Sequence, residues 1–189
     1  YTPNVFARGL GLNTMKTIGI MCIDSSDIYL ANAVYYLEQE LRKHSYDSIL
    51  CCTGKDYTNK KKYLELLLSK RVDGIILAGS QFVENTNIHN NDYIINAAKD
   101  IPIVLVNGYL DAPNIYSVMC NDEIAIYNAT NLLINNGHRN IVYLYTSKSY
   151  SGMNKYAGYM RALKEADISL PEDYRHCLLY TSPSPRDRS

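Results

Sequence analysis

Short apolar runs alternate with longer amphipathic segments along most of the chain. Thr17 to Ile23 reads as a buried strand. Tyr29 to Lys43 places Ala33, Leu37 and Leu41 on one helical face. The pattern then repeats. Asp47 to Cys52 predicts a strand. Tyr57 to Lys70 predicts a helix with Leu64, Leu67 and Leu68 inward and Lys60 to Lys62 outward. Gly74 to Ala78 predicts a strand, Asp92 to Lys99 a shorter helix, and Ile101 to Val106 a fourth strand begun at Pro102. After Tyr116 to Cys120 the alternation resumes. Asn121 or Asp122 caps a helix to Asn136, and Gly137 takes the left-handed stop position. Ile141 to Tyr145 is a further strand, and a helix runs from Ser151 to about Ala166.

Strand–helix units in succession, with strands that read as continuous apolar runs, predict a parallel sheet covered on both faces. The fold class is therefore α/β with a doubly wound parallel sheet. A second such unit begins near Asn121 and is cut short. Cys177 to Ser189 breaks the pattern: Thr181-Ser182-Pro183-Ser184-Pro185-Arg186-Asp187-Arg188-Ser189 is polar and biased. It reads as a non-native extension or a disordered tail, and the interruption of an α/β unit in mid-course favours the first.

Composition narrows the class. Of 189 residues, 47% are hydrophobic and 20% charged, as in a globular protein rather than a disordered one. Formal net charge is zero, with 19 basic and 19 acidic residues. A nucleic-acid-binding module usually carries a basic excess. Any contact with DNA must be local or come from a basic module outside this chain. No apolar run is long enough to span a membrane, and Tyr1-Thr2-Pro3-Asn4 has neither the charged start nor the apolar centre of a signal peptide. The chain lacks an initiator Met and is expected to come from a longer one.

Cys22, Cys51, Cys52, Cys120 and Cys177 form no CxxC pair. They are expected to be small buried apolar residues in a reducing cytoplasm, rather than disulfides or metal ligands. Eighteen tyrosines and no tryptophan are unusual, and an AT-rich coding bias suffices to account for them.

Enzyme readings find no support. There is no Gly-rich phosphate loop and no GxSxG elbow. His44, His89, His138 and His176 are scattered, without metal-ligand spacing, so neither a metal nor a cofactor is expected. His138, just past Gly137, is expected to serve the helix end. In open α/β sheets, ligands sit beyond the carboxyl ends of the strands. Those ends carry Asp24, Ser25 and Tyr29; Ala78, Ser80 and Gln81; Asn107; and, in the second unit, Ser147 and Tyr150. Tyr29 and Tyr150 offer flat faces with hydroxyls, and Asn107 both donates and accepts, which suits a sugar hydroxyl.

The first ten residues, Tyr1-Thr2-Pro3-Asn4-Val5-Phe6-Ala7-Arg8-Gly9-Leu10, resemble the hinge-helix segment of the LacI/GalR family of transcriptional regulators. Thr2 is a good N-cap and Pro3 suits a first helical turn. A helix so short is marginal alone in water, as befits a segment that orders only when supported. Further motifs follow in family order. They are Lys16 to Ile20, Arg71-Val72-Asp73-Gly74-Ile75-Ile76-Leu77, Ile101 to Val106, Leu133 to Ile141 with its Gly137-His138, and Lys155-Tyr156-Ala157-Gly158-Tyr159 with Ala162-Leu163. The resemblance runs to about Ile168.

The resemblance implies a periplasmic-binding-protein-like core of two lobes with a cleft, the second truncated. It divides the chain into a hinge and linker (1–14), an N-subdomain (15–120), a partial C-subdomain (121–176) and an atypical tail (177–189). It implies a cytoplasmic repressor that senses a small molecule, a carbohydrate by preference. Such a repressor acts as a homodimer through the Tyr29–Lys43 helix and binds operator DNA mainly through a headpiece absent from this chain. Tyr1, Asn4, Ala7, Arg8 and Leu10 are the implied DNA-contacting residues. Leu10 stands at the leucine position that wedges between base steps in the minor groove. Asp24, Tyr29, Ser80, Asn107, Tyr150 and Lys155 are the implied effector-binding residues. Lys155 stands where the family usually has an Arg; a lysine is a point charge without the bidentate fork. Gly9 departs from the better helix formers common at its position. The alternative is a periplasmic-type sugar receptor of a transport system, which shares the two-lobe fold and would not need the hinge.

Overall fold

Polar side chains set the starts of four of the described helices. Asp27, Asp56, Asn121 and Ser149 each accept a hydrogen bond from a backbone N–H of the first turn that follows. The computed structural model describes residues 14–84, 88–145, 149–169, 171 and 174–177. Residues 178–189 and the first thirteen, Tyr1, Asn4, Ala7, Arg8 and Leu10 among them, lie outside the described residues. So does Ser147.

The chain divides into two compact units after Met119. The first contains β1 (Thr17–Cys22), α1 (Ile28–Lys43), β2 (Asp47–Cys52), α2 (Tyr57–Ser69), β3 (Gly74–Ala78), a 3-10 turn (Ile88–Asn91), α3 (Asp92–Ala97), β4 (Ile103–Val106) and β5 (Ile115–Val118). All five strands are parallel in the order β2-β1-β3-β4-β5. This is the order of a doubly wound sheet whose direction of winding reverses between β1 and β3.

The Asp73 carboxylate accepts hydrogen bonds from the Met15 and Thr17 N–H groups, both at 2.9 Å, and so sets where β1 begins beside β3. Close packing on one face needs Gly19: a Cβ there would lie 2.7 Å from Leu67 Cδ1 of α2. Ile20, Met21, Leu67, Ile75, Leu77 and Ile103 are fully buried in this core.

Burial from both sides holds for β1 and β3 but not for β4 and β5. Ile103 and Leu105 are buried while Val104 and Val106 are only half so, and Tyr116 and Val118 of β5 are exposed. Among the described residues of this unit no helix follows β5. The fourth strand also starts two residues later than expected, because Pro102 has no N–H for the ladder.

Lys60 corrects the expectation of an outward lysine run. It is only 5% exposed, its ammonium donates to the Gln81 carbonyl at 2.7 Å, and it lies over the Phe82 ring. The cysteines are corrected in part as well. Cys22 and Cys51 are buried, whereas Cys52 and Cys120 are exposed.

The second unit contains α4 (Asp122–Asn135), β6 (Tyr143–Tyr145), α5 (Tyr150–Glu165) and β7 (Arg175–Cys177), with β6 and β7 parallel. The β7 strand has no clear signal in the sequence, because it is three residues long and carries little pattern. Gly137 takes φ +90° just past α4. Its N–H donates to Ile134 O, and the His138 N–H donates to Leu133 O. This two-bond closure is the stop expected from Gly137-His138. The small core joins Ile134, Ile141, Tyr159, Ala162 and Leu163, with Tyr127, Tyr143 and Tyr156 packed against it. Tyr143 and Tyr159 stack at 5.0 Å, and the buried Tyr159 hydroxyl donates to Ile141 O at 2.8 Å. At least part of the tyrosine excess is thus structural: rings fill part of this core, and the Tyr127 and Tyr159 hydroxyls are bonded.

Candidate effector-binding site

Parallel pairing brings strand ends into line. Cys22 of β1 pairs with Ala78 of β3, and Ala78 pairs with Val106 of β4. Asp24 and Ser80 each lie two residues beyond a paired position, and Asn107 one residue beyond. Three residues singled out from the sequence therefore lie along the carboxyl edge of the sheet, Asp24 and Ser80 after the two strands between which the order reverses and Asn107 after the next. Asn107 has φ +58°, a left-handed conformation that Asn tolerates better than most residues. Its N–H is held by Val118 O at 2.8 Å. Its side-chain amide donates to the Tyr29 hydroxyl at 2.6 Å. Tyr29 stands in the first turn of α1 and remains 56% exposed. An exposed ring and a half-buried amide are thereby held together.

Asp24 is exposed and accepts from both the Ser26 hydroxyl and the Ser26 N–H. Those bonds, the hydroxyl's first, hold its carboxyl below the usual carboxylate range. It is a fixed anion and hydrogen-bond acceptor at neutral pH. Gly79, between β3 and Ser80, has φ +124°, and a Cβ there would lie 3.3 Å from Leu30 Cδ2. The loop carrying Ser80 and Gln81 is tied down from beneath by the Lys60 ammonium.

In the second unit the structure regroups the expected residues. Tyr150 is the first residue of α5 and follows the cap Ser149. Ser151 and Lys155, four apart on α5, share a face. Both reach Asp122 at the start of α4: the Ser151 hydroxyl donates to Asp122 Oδ2, and Lys155 Nζ lies 3.6 Å from Oδ1. From the sequence Asp122 is only a possible cap. Asn121 takes that role, which frees the Asp122 carboxylate to hold the lysine. The signal was the Asn121-Asp122 pair itself, since one helix start needs one cap. The Lys155 side chain keeps 44% exposure, so its ammonium is oriented yet open to solvent. Tyr143 is near enough to Asp122 to be affected by it; burial first and that carboxylate second push its hydroxyl pKa up.

Among the described residues no group of three or more His, Cys, Asp or Glu side chains could hold a metal ion. No described helix is long and apolar enough to cross a membrane.

Residues 15–184 match the profile of the family described as periplasmic binding proteins and sugar binding domain of LacI family. The chain is 60% identical over 173 residues to an HTH-type transcriptional regulator of Lachnoclostridium phytofermentans, covering 92% of this chain and 52% of that protein. It is 30% identical over 175 residues to the HTH-type transcriptional repressor PurR of Vibrio campbellii, covering 92% of this chain and 51% of that protein. Among solved structures, the transcription regulator CcpA of Lactococcus lactis superposes with a TM-score of 0.72 at 28% identity, over 87% of this chain and 59% of that one. A LacI family regulator from Lactobacillus casei, solved with bound sucrose, gives 0.73 at 22% identity over 87% and 59%, a likeness of fold. The chain spans about half the length of the curated relatives it matches.

Proposed function

The chain belongs to the family of periplasmic binding proteins and LacI-type sugar-binding domains, and on that premise we propose that it is the effector-sensing part of a ligand-responsive transcriptional repressor. The observation that carries the ligand side is the Tyr29–Asn107 pair, set beside Asp24 and Ser80 on one sheet edge. A ring that can stack on an apolar sugar face, flanked by an amide and a fixed carboxylate, suits a hydroxyl-rich molecule. Taken by itself, the second unit carries a solvent-open lysine, Lys155, held by Asp122. The sucrose held by the Lactobacillus casei protein supports a carbohydrate as effector.

Regulator is favoured over transport receptor by the relatives, which are named as transcriptional regulators. In this reading a dimer of the whole protein binds operator DNA, and Tyr1, Asn4, Ala7, Arg8 and Leu10 form a conditional hinge helix. Leu10 enters the minor groove and kinks the duplex, as apolar wedges do. Effector and operator then alter each other's affinity by the same factor.

The test takes the protein encoded by the whole reading frame. Thermal-shift screening against mono- and disaccharides and nucleobases should give a specific, concentration-dependent rise in Tm with a sugar. The same sugar should change operator affinity in a gel-shift titration, and Leu10→Gly should weaken operator binding. A signal peptide encoded ahead of Tyr1 in place of a DNA-binding module would overturn the regulator reading.

A further inference from the structure

Cys22 and Cys52 are register partners on the adjacent parallel strands β1 and β2. Their sulfurs lie 3.5 Å apart and share a hydrogen bond. Cys22 has no solvent exposure, while Cys52 is exposed. Cys51 is buried and pairs with Met21, so strand alternation turns it to the opposite face of the sheet. Two thiols thus face each other at one strand end, one open to solvent and one behind it.

We propose that Cys22 and Cys52 form a peroxide-responsive dithiol that closes to a disulfide. Directly opposed residues on neighbouring strands sit about 4.7–4.9 Å apart, inside the Cα range that a disulfide accepts. The sulfurs need to approach by about 1.5 Å to reach the ~2.05 Å bond. An exposed thiol beside a second, resolving thiol is the arrangement that redox-sensing cysteines share.

The chemistry balances with hydrogen peroxide as oxidant. The Cys52 thiolate attacks one peroxide oxygen, the O–O bond breaks, and hydroxide leaves to be protonated to water. Cys52 is now a sulfenic acid. The Cys22 sulfur attacks the Cys52 sulfur, the S–O bond breaks, and the Cys22 proton leaves with the departing hydroxide as a second water. Two thiols and one peroxide give one disulfide and two waters; the sulfurs lose two electrons and the peroxide gains them. Burial, with Cys52 beside it, pushes the Cys22 thiol up to about 12, which assigns the first attack to Cys52 and the resolving step to Cys22.

The bond would tie the edge strand to β1 immediately before the loop that carries Asp24. Thr53 N–H and Gly54 N–H already donate to Cys22 O and Ile23 O at 2.9 and 3.0 Å, which ties the two loops together. Oxidation would therefore be felt at the candidate site. The dithiol chemistry itself does not depend on the regulator reading.

The test treats the 189-residue chain with hydrogen peroxide, blocks free thiols, and digests with trypsin without reductant. The expected product is the Thr17–Arg42 peptide joined to the His44–Lys55 peptide, two hydrogens lighter than their sum and separated again by dithiothreitol. It should form equally in wild type and Cys51→Ser, and be lost in Cys52→Ser and Cys22→Ser. In Cys22→Ser, dimedone should trap Cys52 as a sulfenic acid. The wild-type digest stands whether or not a variant folds. Recovery of the two peptides separately, with Cys52 unmodified or over-oxidised to sulfinic acid, would overturn the proposal. So would a link that persists in Cys52→Ser or that runs through Cys120.

Discussion

Gly158 of α5 lies against the backbone of Glu123 in α4: a Cβ at Gly158 would stand 2.1 Å from the Glu123 carbonyl oxygen. The obstacle is helix backbone, which cannot turn aside as a side chain can. Around this contact Arg161 lies over the Tyr127 ring at 3.9 Å and pairs with Glu123 at 2.6 Å, binding the same two helices further along. The packing of the second unit depends on the missing side chain.

Gly158→Ala is therefore expected to destabilise the chain by about 1–3 kcal/mol. Gly19→Ala should cost less, because the nearest atoms are the flexible end of Leu67. Urea unfolding of both variants gives the comparison; an equal or reversed order would contradict the account.

Asp73→Ala removes the acceptor for two N–H groups at the start of β1. A loss of about 2 kcal/mol is expected, since both bonds run to a charged group and are only partly buried. Amide exchange at Met15 and Thr17 should accelerate more than at residues in the middle of β1.

Lys60 separates charge from packing. Lys60→Met keeps an unbranched side chain against Phe82 but leaves the Gln81 carbonyl without its donor. Lys60→Ala also strips buried methylenes and should be less stable than Lys60→Met by about 2 kcal/mol. Thermal melts of the two variants check this order.

Alkaline pH should unfold the protein through Cys22. Its pKa is raised from 9.0 to about 12 by burial, so the folded state keeps the proton that the unfolded chain gives up. The associated stability is complete below pH 9 and is lost as pH rises from about 9 toward about 12. Burial raises the Tyr93 hydroxyl pKa as well, and its contribution fails in the same direction. The urea midpoint should fall across that window, and Cys22→Ala should flatten the fall.

Tyr29→Phe addresses the candidate site. The lost bond is exposed, so stability should change by no more than about 0.5 kcal/mol. Affinity of the whole protein for the sugar found by screening should drop roughly tenfold, the effect of one lost hydrogen bond of about 1.4 kcal/mol. Asn107→Gly is the companion variant, since Gly accepts the left-handed backbone that Ala would strain. If both variants bind that sugar as wild type does, the site lies elsewhere.

Helix starts, helix stops and strand order of appearance were legible in the chain because they rest on local chemistry. Gly74–Ala78 was placed to the residue, and Gly137 closes its helix as its position implied. Strand-end residues Asp24, Ser80 and Asn107 could be named because parallel sheets expose one kind of edge. The neighbours of those residues could not. Lys60 looked solvated inside a run of three lysines, yet its place on α2 carries it beneath the Gln81–Phe82 loop. Asp122 looked like one of two equivalent caps until α5 brought Ser151 and Lys155 to it.

By itself the sequence determined the period of the longer elements and the α/β class, which follow from residues within a few turns of one another, and the family, which follows from short motifs in order along the chain. Only the tertiary structure decided that Tyr29 meets Asn107 across 78 residues, that Lys155 is held by Asp122, and that Cys22 faces Cys52. Those pairings depend on which strands become neighbours and in what register. That choice is made by burying the whole sheet at once, and no short stretch of chain encodes it.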